Sequence, residues 1–358
     1  MAQLIHVMKT ELSQMSLGDV ALPPLREDAV RLKVESFAVT ANNVTYAVIG
    51  DMFGYWNFFP TGVVDQGIVP MWGHAIVEAS NHADIAVGER VYGYLPMGTH
   101  LNVMPGNIAP GGFLDTTDYR QPMAAIYNHY SRLNADPEHD PAREDARMIF
   151  GPLFKTGFLI EAMMRREGWF GAEQVVMTSA SSKTAMALAH CAKLTSPGIK
   201  RIGLTSAAHV AFVERSGLYD QVVDYSAIST LAPVTSVAVD FAGNAAVGRA
   251  VHTHLGDALK YSSAVGVTHV GARQGSDVPL PGPSPTLFFA PTEAAATIKT
   301  LGPKGFAEAV AASWMGFVAL TDDFVTVDHR DGVQAAAEAF IATLKGTADP
   351  SIGIVVRP

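Results

Sequence analysis

Apolar and polar positions alternate along the first third of the chain. Residues 30–39 place their apolar side chains on one face, as a half-buried strand does. Residues 75–79 and 90–94 predict two further short strands. Because Gly and Pro interrupt this stretch repeatedly, the pattern favours a small β-barrel.

The periodicity of apolar and polar positions is weaker in residues 96–150. Gly, Pro and Asp dominate residues 105–122 and 134–145, which predicts long loops around one short helix over residues 123–133. Long loops are often functional, and both a lid and a dimer contact are open interpretations of this stretch.

From residue 151 short apolar strands alternate with helical segments. The pattern predicts helices over residues 156–166, 185–194, 210–216 and 245–255 and strands over residues 174–178, 201–205, 221–225 and 236–241. This alternation indicates a parallel sheet covered on both faces, the doubly wound layout of nucleotide-binding domains.

The last part of the chain combines helical and strand patterns. It predicts helices over residues 292–301, 305–311 and 331–344 and strands over residues 324–327 and 352–356. We interpret the final elements as a return to the first domain. The prediction is therefore a two-domain α/β protein, with residues 1–150 and 318–358 forming a β-rich domain and residues 151–317 a Rossmann-like domain.

Composition narrows the possible functions. The chain has 358 residues, 48% of them hydrophobic, and a net charge of -9 without any cluster of Lys and Arg, so nucleic-acid binding is not expected. No apolar run approaches the ~20 residues that span a bilayer, and no signal peptide is evident. The single cysteine, Cys191, fits a reducing compartment, so a cytoplasmic location is predicted.

Several segments carry a resemblance to a known family. Residues 28–50 resemble an early strand followed by an N-x-x-D loop, and residues 73–95 resemble a G-H-E … G-D-R-V segment. Residues 154–158 resemble the segment at which the cofactor domain of that family starts, and residues 346–357 resemble the family's last strand. The chain thus resembles the medium-chain dehydrogenase/reductase superfamily, as an outlying bacterial branch nearest to quinone and enoyl-thioester reductases. The resemblance implies a GroES-like substrate domain and a Rossmann-type cofactor domain.

The residues that would hold zinc in this family are missing. Of the expected ligands only His74 remains, since residues 41–45 contain no Cys and the third position falls near Pro152. A catalytic zinc needs three protein ligands, so no metal is predicted. His74 is then expected to be a hydrogen-bonded turn residue, with substrate contact as the alternative.

The predicted turn after the first strand of the Rossmann-like domain lacks the family's glycines. Ser179, Ser182 and Ala185 stand where the family has Gly, and Ser181, Lys183 and Thr184 add two hydroxyls and a positive charge. Hydroxyl donors, a lysine and the helix N-terminus suit a pyrophosphate. The alternative is that the serines only cap the helix.

The end of the next strand has no acidic residue to accept the ribose 2′-hydroxyl of NAD. Small hydroxyls stand there instead, which favours NADPH over NADH. The resemblance adds further positions to the cofactor site, so the predicted contacts beyond the turn are Lys155, Thr156, Thr205, Ser206, His209, Tyr225, Asp240, Gly243 and Gly271.

Hydride transfer without zinc needs another donor for the developing negative charge. Enoyl-thioester reductases of this superfamily use a tyrosine just beyond the N-x-x-D loop, which implies Tyr55, with Tyr46 as the second candidate. Asn42 is expected to orient substrate or to hold the loop. The alternative for Tyr55 is an apolar packing role.

These observations predict an NADPH-dependent reductase of an activated C=C or C=O in a small molecule, such as an enone, a quinone or an enoyl thioester. A dehydrogenase-like binding protein that has lost turnover is the alternative, and a non-redox lyase or isomerase is a third possibility. An exposed sheet edge in the cofactor domain predicts a homodimer.

Overall fold

The computed structural model describes residues 1–265 and 279–358. The chain divides into two compact units. The first comprises Met1–Ile149, Val327–Ala348 and Ile352–Pro358, and the second comprises Phe150–Thr326 and Asp349–Ser351.

The first unit is rich in β-structure, with two sheets. A three-stranded sheet has the order β2-β1-β4, and a nine-stranded sheet has the order β17-β18-β3-β5-β6-β10-β9-β8, with β7 paired to β3. The strands are β1 Ala2–Met8, β2 Glu11–Val20, β3 Val30–Val39, β4 Gln66–Gly67, β5 Pro70–Ser80, β6 Arg90–Pro96, β7 His100–Val103, β8 Pro105–Ala109, β9 Gly112–Asp115, β10 His129–Arg132, β17 Thr326–Asp331 and β18 Ile352–Arg357.

The core of this unit forms because β3, β5 and β6 bury apolar side chains, which removes their surface from water. Helix α9 covers the sheet with a buried stripe that ends in Phe340. The helices that begin in this unit or lie within it are α1 Ala41–Val48, α2 Gly50–Phe53, α3 Ala125–Asn128, α4 Glu144–Arg166 and α9 Val333–Leu344.

The second unit contains a parallel sheet of six strands in the order β13-β12-β11-β14-β15-β16. This is the order 3-2-1-4-5-6 of a doubly wound nucleotide-binding sheet. The strands are β11 Gln174–Met177, β12 Lys200–Thr205, β13 Gln221–Asp224, β14 Ser236–Asp240, β15 Leu259–Ala264 and β16 Thr286–Leu287, and the helices are α5 Lys183–Thr195, α6 Val210–Arg215, α7 Ala245–Leu255 and α8 Ala290–Thr321.

The mixed α/β class, with a β-rich part and a parallel sheet, is confirmed. The predicted change of domain at residue 318 falls inside α8, and the second unit continues to Thr326. The two helices predicted over residues 292–301 and 305–311 both lie within Ala290–Thr321, where a kink separates them at Gly302, which has a non-helical φ of 73°, and Pro303.

Two predictions for the first unit are wrong. Residues 105–115, predicted as loop, form the hairpin of β8 and β9, since backbone pairing outweighs their Gly and Pro content. Residues 123–133 contain only the short α3 before strand β10. Among the described helices, none combines the length and the apolar composition needed to cross a membrane.

Candidate functional site

In the second unit the chain passes from β11 into α5 through a tight turn. Ser179 has a φ of 49°, a left-handed conformation that favours glycine. Its backbone N–H donates to the hydroxyl of Tyr225 over 2.9 Å. The hydroxyl of Tyr219 donates to the Ala180 carbonyl over 2.8 Å. Hydrogen bonds from two tyrosines to the backbone therefore stabilise a turn that lacks glycine.

Ser182 is the N-cap of α5, because its hydroxyl accepts the Ala185 backbone N–H over 3.2 Å. The capping role considered from the sequence is thus present. The hydroxyl of Ser181 lies 3.3 Å from Nδ1 of His209. Thr184 is half-buried in the first turn of α5. The turn consequently brings together hydroxyls, an imidazole and the positive end of a helix.

Lys183 starts α5 and places its ammonium 5.9 Å from the centroid of the Phe150 ring. Burial lowers the pKa of Lys183 to about 8, while the carboxylate of Asp349 opposes that shift. A lysine in this setting keeps a positive charge near neutral pH that a phosphate can use.

The neighbouring strand ends supply the other predicted cofactor residues. Thr205 is buried at the end of β12, and Ser206 follows it half-buried. Asp240 ends β14 and accepts hydrogen bonds from Thr178 Oγ1 at 2.5 Å and from the Gly243 N–H at 3.1 Å. Asp240 therefore fixes the turn after β14, with its carboxylate directed at protein groups.

Two further predicted residues belong to helix α4, and a third cannot be placed. Lys155 and Thr156 are half-buried on α4, and the Thr156 hydroxyl donates to the Pro152 carbonyl of its own helix over 3.0 Å. Gly271 lies outside the described residues.

In the first unit the two predicted catalytic tyrosines come together. Residues 41–45, interpreted as a loop from the sequence, form the start of helix α1, because Asn43 Oδ1 accepts the Thr40 backbone N–H over 2.6 Å. Asn42 and Tyr46 therefore share one helix face. The Asn42 side-chain amide donates to the Tyr46 hydroxyl over 2.6 Å.

Trp72 completes the environment of Tyr46. Its indole N–H donates to the Tyr46 hydroxyl oxygen over 3.0 Å, so two N–H donors converge on one phenol oxygen. Burial raises the pKa of Tyr46 and keeps it protonated. Both lone pairs of its oxygen are thus occupied, and the buried hydroxyl of Tyr94 also interacts with it.

The hydroxyl of Tyr55 has a different hydrogen-bond partner from the hydroxyl of Tyr46. Its hydroxyl lies 3.1 Å from the hydroxyl of Tyr127, so the two share a hydrogen bond. The rings of Tyr46 and Tyr55 have centroids 4.6 Å apart. Tyr46 and Tyr55 are buried, whereas Tyr127, Trp72 and Asn42 are half-buried. Part of this group of side chains is therefore exposed to solvent.

Arg120 holds the segment that carries Tyr127. It is fully buried, and it donates to Asp115 Oδ2 at 2.7 Å, Asn128 Oδ1 at 3.1 Å and the Tyr127 carbonyl at 2.9 Å. It also donates to the Tyr130 hydroxyl over 3.0 Å. This network fixes α3 and with it the position of the Tyr127 ring.

Sequence reasoning missed Trp72, Tyr127 and Arg120. Trp72 lies in β5 one residue before the noted Gly73-His74-Ala75, and strand alternation from His74 would have placed it on the same face. Tyr127 and Arg120 lie in a stretch with no periodic signal, so the sequence offered nothing local that could identify them.

His74 is not the hydrogen-bonded turn residue that the sequence suggested. It lies within β5 and is fully buried, and neither ring nitrogen has a hydrogen-bond partner among the described residues. Burial lowers its pKa to about 3. No group of three or more metal-ligating side chains occurs in residues 1–265 and 279–358.

The two-unit architecture and the strand order agree with the fold that the resemblance implied, and solved structures share this fold. The crystal structure of CurA from Vibrio vulnificus is similar with a TM-score of 0.63 at 15% identity, covering 100% of this chain and 98% of CurA. Its complex with NADPH gives a TM-score of 0.62 at 15% identity, covering 99% and 98%. The YhdH oxidoreductase from Salmonella enterica, in complex with NADP, gives 0.54 at 15% identity and covers 100% of both chains.

The chain belongs to the DUF2855 family, described as proteins of unknown function, whose profile matches residues 37–349. No curated protein matches the chain by sequence.

Proposed function

We propose that this protein is an NADPH-dependent, zinc-independent reductase that acts on an activated C=C or C=O bond of a small molecule. The observation that carries the proposal is the β11–α5 turn at the middle of a 3-2-1-4-5-6 sheet, where donors surround a helix N-terminus. The NADPH complex of CurA, which has the same fold, supports this choice of cofactor.

The residues of the turn fit a phosphorylated dinucleotide. Ser181 and Ser206 present hydroxyls, and the Tyr225 hydroxyl, which accepts the Ser179 N–H, keeps its proton to donate. No acidic residue occupies residues 205–209, so nothing there repels a 2′-phosphate. Ser182 and the first N–H groups of α5 would contact the pyrophosphate, and Lys183 would add a positive charge nearby.

When bound, NADPH supplies a hydride. The protein must then stabilise or protonate the oxygen on which negative charge develops. We assign this role to Tyr46 in preference to Tyr55, because the N–H groups of Asn42 and Trp72 both donate to the Tyr46 oxygen, whereas the Tyr55 hydroxyl shares a hydrogen bond with that of Tyr127. Two N–H donors on the Tyr46 oxygen also stabilise the phenolate that forms on proton transfer.

A specific observation favours a second candidate, a dehydrogenase-like binding protein without turnover. The Ser182 hydroxyl already caps α5, and the Ser179 N–H already donates to the Tyr225 hydroxyl. Part of the turn's capacity to form hydrogen bonds is therefore used within the protein. Homodimer formation and a cytoplasmic location stay predictions of the sequence.

Oxidation of NADPH in the presence of enones, quinones and enoyl thioesters tests the proposal. We expect turnover with at least one of these substrates, and we expect Tyr46→Phe to lower kcat by about 10²–10⁴-fold with NADPH affinity unchanged. Tyr55→Phe is the matched control and should have a smaller effect. NADPH binding without turnover on any of the three classes would favour the second candidate.

A further inference from the structure

Lys183 lies at the first position of helix α5 and packs against an aromatic ring. Its Nζ is 5.9 Å from the centroid of the Phe150 ring. Within residues 1–265 and 279–358 this side chain forms neither an ion pair nor a hydrogen bond. Lys193, on the same helix, is exposed, and its Nζ donates to the Gly217 carbonyl over 3.1 Å. The two lysines of one helix therefore have different chemical environments.

The environment of Lys183 favours the neutral amine over the ammonium ion. The side chain is half-buried, and burial lowers the pKa of Lys183 to about 8. The positive end of the α5 dipole acts in the same direction. The carboxylate of Asp349 opposes both effects, but it is exposed to solvent, which screens its charge. Because a neutral lysine amine is a nucleophile, Lys183 is reactive at a pH where an exposed lysine is almost fully protonated.

The backbone beside Lys183 has two unused donors. Ser182 occupies two N–H groups of α5, because its hydroxyl accepts from Ala185 and its carbonyl oxygen accepts from Met186. The N–H groups of Lys183 and Thr184 have no acceptor in the part of the chain that the structure describes, as is usual in the first turn of a helix. A phosphate group bound there would accept both hydrogen bonds.

A nucleophilic amine next to donors for a phosphate selects an acyl phosphate as the reagent. In an acyl phosphate a single bridging oxygen joins the carbonyl carbon to phosphorus. A phosphate held by the N–H groups of Lys183 and Thr184 therefore holds the carbonyl carbon close to the residue whose amine attacks it. A thioester has no phosphate beside its carbonyl group, so these donors give it no such advantage.

We propose that Lys183 is a site of acylation by acyl phosphates, and that its acylation weakens the binding of phosphorylated ligands at the β11–α5 turn. The first part needs no dinucleotide. The second part rests on the proposed function, since this turn is the proposed pyrophosphate site. Acylation removes the positive charge of the lysine, so the side chain no longer attracts a phosphate.

The reaction needs no cofactor. The Nζ lone pair of neutral Lys183 attacks the carbonyl carbon, and a C–N bond forms. The bond between the carbonyl carbon and the bridging oxygen breaks, and the phosphate leaves with the electron pair of that bond. The nitrogen then loses one proton to water. The products are an amide and inorganic phosphate, and nothing is oxidised or reduced.

Acetyl phosphate tests the site at pH 8, near the pKa of Lys183, with acetylation of each lysine measured by mass spectrometry of peptides. We expect the initial rate at Lys183 to exceed the rates at Lys193 and the exposed Lys304 by about tenfold or more. Inorganic pyrophosphate should slow acetylation of Lys183 and leave the other two lysines unchanged. N-acetoxysuccinimide, an acetyl donor without phosphate, should show a smaller preference for Lys183.

Equal rates at the three lysines, or no acetylation of Lys183, would overturn the acylation site. A preference for Lys183 that is the same with both acetyl donors and is not reduced by pyrophosphate would overturn the choice of acyl phosphates as the reagent. These measurements use the wild-type protein, so they do not depend on whether a variant folds.

Calorimetric titration with NADPH tests the second part of the proposal. Acetylated wild type and Lys183→Gln should both bind NADPH about tenfold more weakly than untreated wild type, whereas Lys193→Gln should bind it as wild type does. Unchanged affinity in both would overturn this part. Acetylation of Lys183 in a protein that binds no NADPH would overturn the proposed function and leave the acylation site in place. NADPH binding by a protein that is not acetylated at Lys183 would have the opposite meaning.

Discussion

The β11–α5 turn of the second unit and a group of side chains in the first unit differ in how their polar atoms are hydrogen bonded. This group, which we call the polar face, lies on one face of β5 and β6 and comprises Trp72, His74, Tyr92, Tyr94 and the adjacent Arg147. At the turn, Ser179, Ser181 and Ser182 each contact another protein group, so the hydrogen bonds form without any ligand. On the polar face, His74 and Arg147 are buried with nitrogen atoms that contact no protein acceptor. The turn is preformed by internal hydrogen bonds, whereas the face is left with unused hydrogen-bonding capacity.

This difference teaches how hydrogen bonding affects the stability of each region. A ligand at the turn has to share donors that are already engaged, so the gain from each hydrogen bond is modest. On the polar face, the unpartnered nitrogens of His74 and Arg147 make burial unfavourable. Loss of a polar group should therefore lower stability more at the turn than on the face.

Removal of Arg120, the fully partnered arginine, should have the largest effect on stability. Arg120→Met leaves the Asp115 carboxylate buried without its partner, and we expect the free energy of unfolding to fall by about 3–5 kcal/mol. Urea denaturation measures this change. Arg26→Met, at an exposed position, is the control, and an equal effect of the two substitutions would contradict the structure of the network.

Asp240→Ala tests how far the second unit depends on its internal hydrogen bonds. The carboxylate accepts from the buried Thr178 hydroxyl and from the N–H groups of Ala242 and Gly243. Their loss should lower the free energy of unfolding by about 1–3 kcal/mol. Thermal and urea denaturation should both show it, with the exposed Asp257→Ala unchanged.

Lys183→Met should change the pH dependence of stability. The pKa of Lys183 is about 8 in the folded protein against 10.5 as its ordinary value, so the unfolded chain binds more protons between these pH values. Lys183 therefore makes stability rise as the pH goes from 8 to 10.5. Unfolding measured across this range should have a smaller rise in Lys183→Met, and identical pH profiles would show that Lys183 is not buried.

Ser179→Gly should have the smallest effect. The left-handed φ of 49° costs a serine about 1 kcal/mol, and glycine relieves this cost while losing more backbone entropy on folding. We expect an unchanged or slightly higher melting temperature, and a lower one for Ser179→Ala. A clear loss of stability in Ser179→Gly would mean that the serine side chain makes a contact that the strain argument neglects.

The turn could be predicted from the sequence because its signals are local. A short apolar strand, small residues and an alanine-rich helix follow one another over residues 174–194. Parallel pairing with β12 and β14 then fixes the place of the turn in the sheet. The side-chain partner of Ser179 was not predictable in the same way, since Tyr225 is 46 residues away in the sequence.

The polar face could not be predicted because it depends on register and long-range packing. His74 was noted in the sequence, but its pairing with Tyr92 and the approach of Arg147 depend on the β5–β6 register and on where α4 begins. A shift of one residue would turn His74 to the other face of the sheet. Asn42 and Tyr46 were chosen individually, and their hydrogen bond follows only once α1 is recognised as a helix.

The most direct test of the central claim is a calorimetric titration of the wild-type protein and Ser206→Glu with NADPH and with NADH. We expect wild type to bind NADPH more tightly than NADH. A glutamate at residue 206 should repel the 2′-phosphate and accept the ribose hydroxyl of NADH, so NADPH should bind about tenfold more weakly or worse and the preference should move towards NADH. The absence of binding of either dinucleotide to wild type would contradict the account, and so would an identical NADPH affinity in Ser206→Glu.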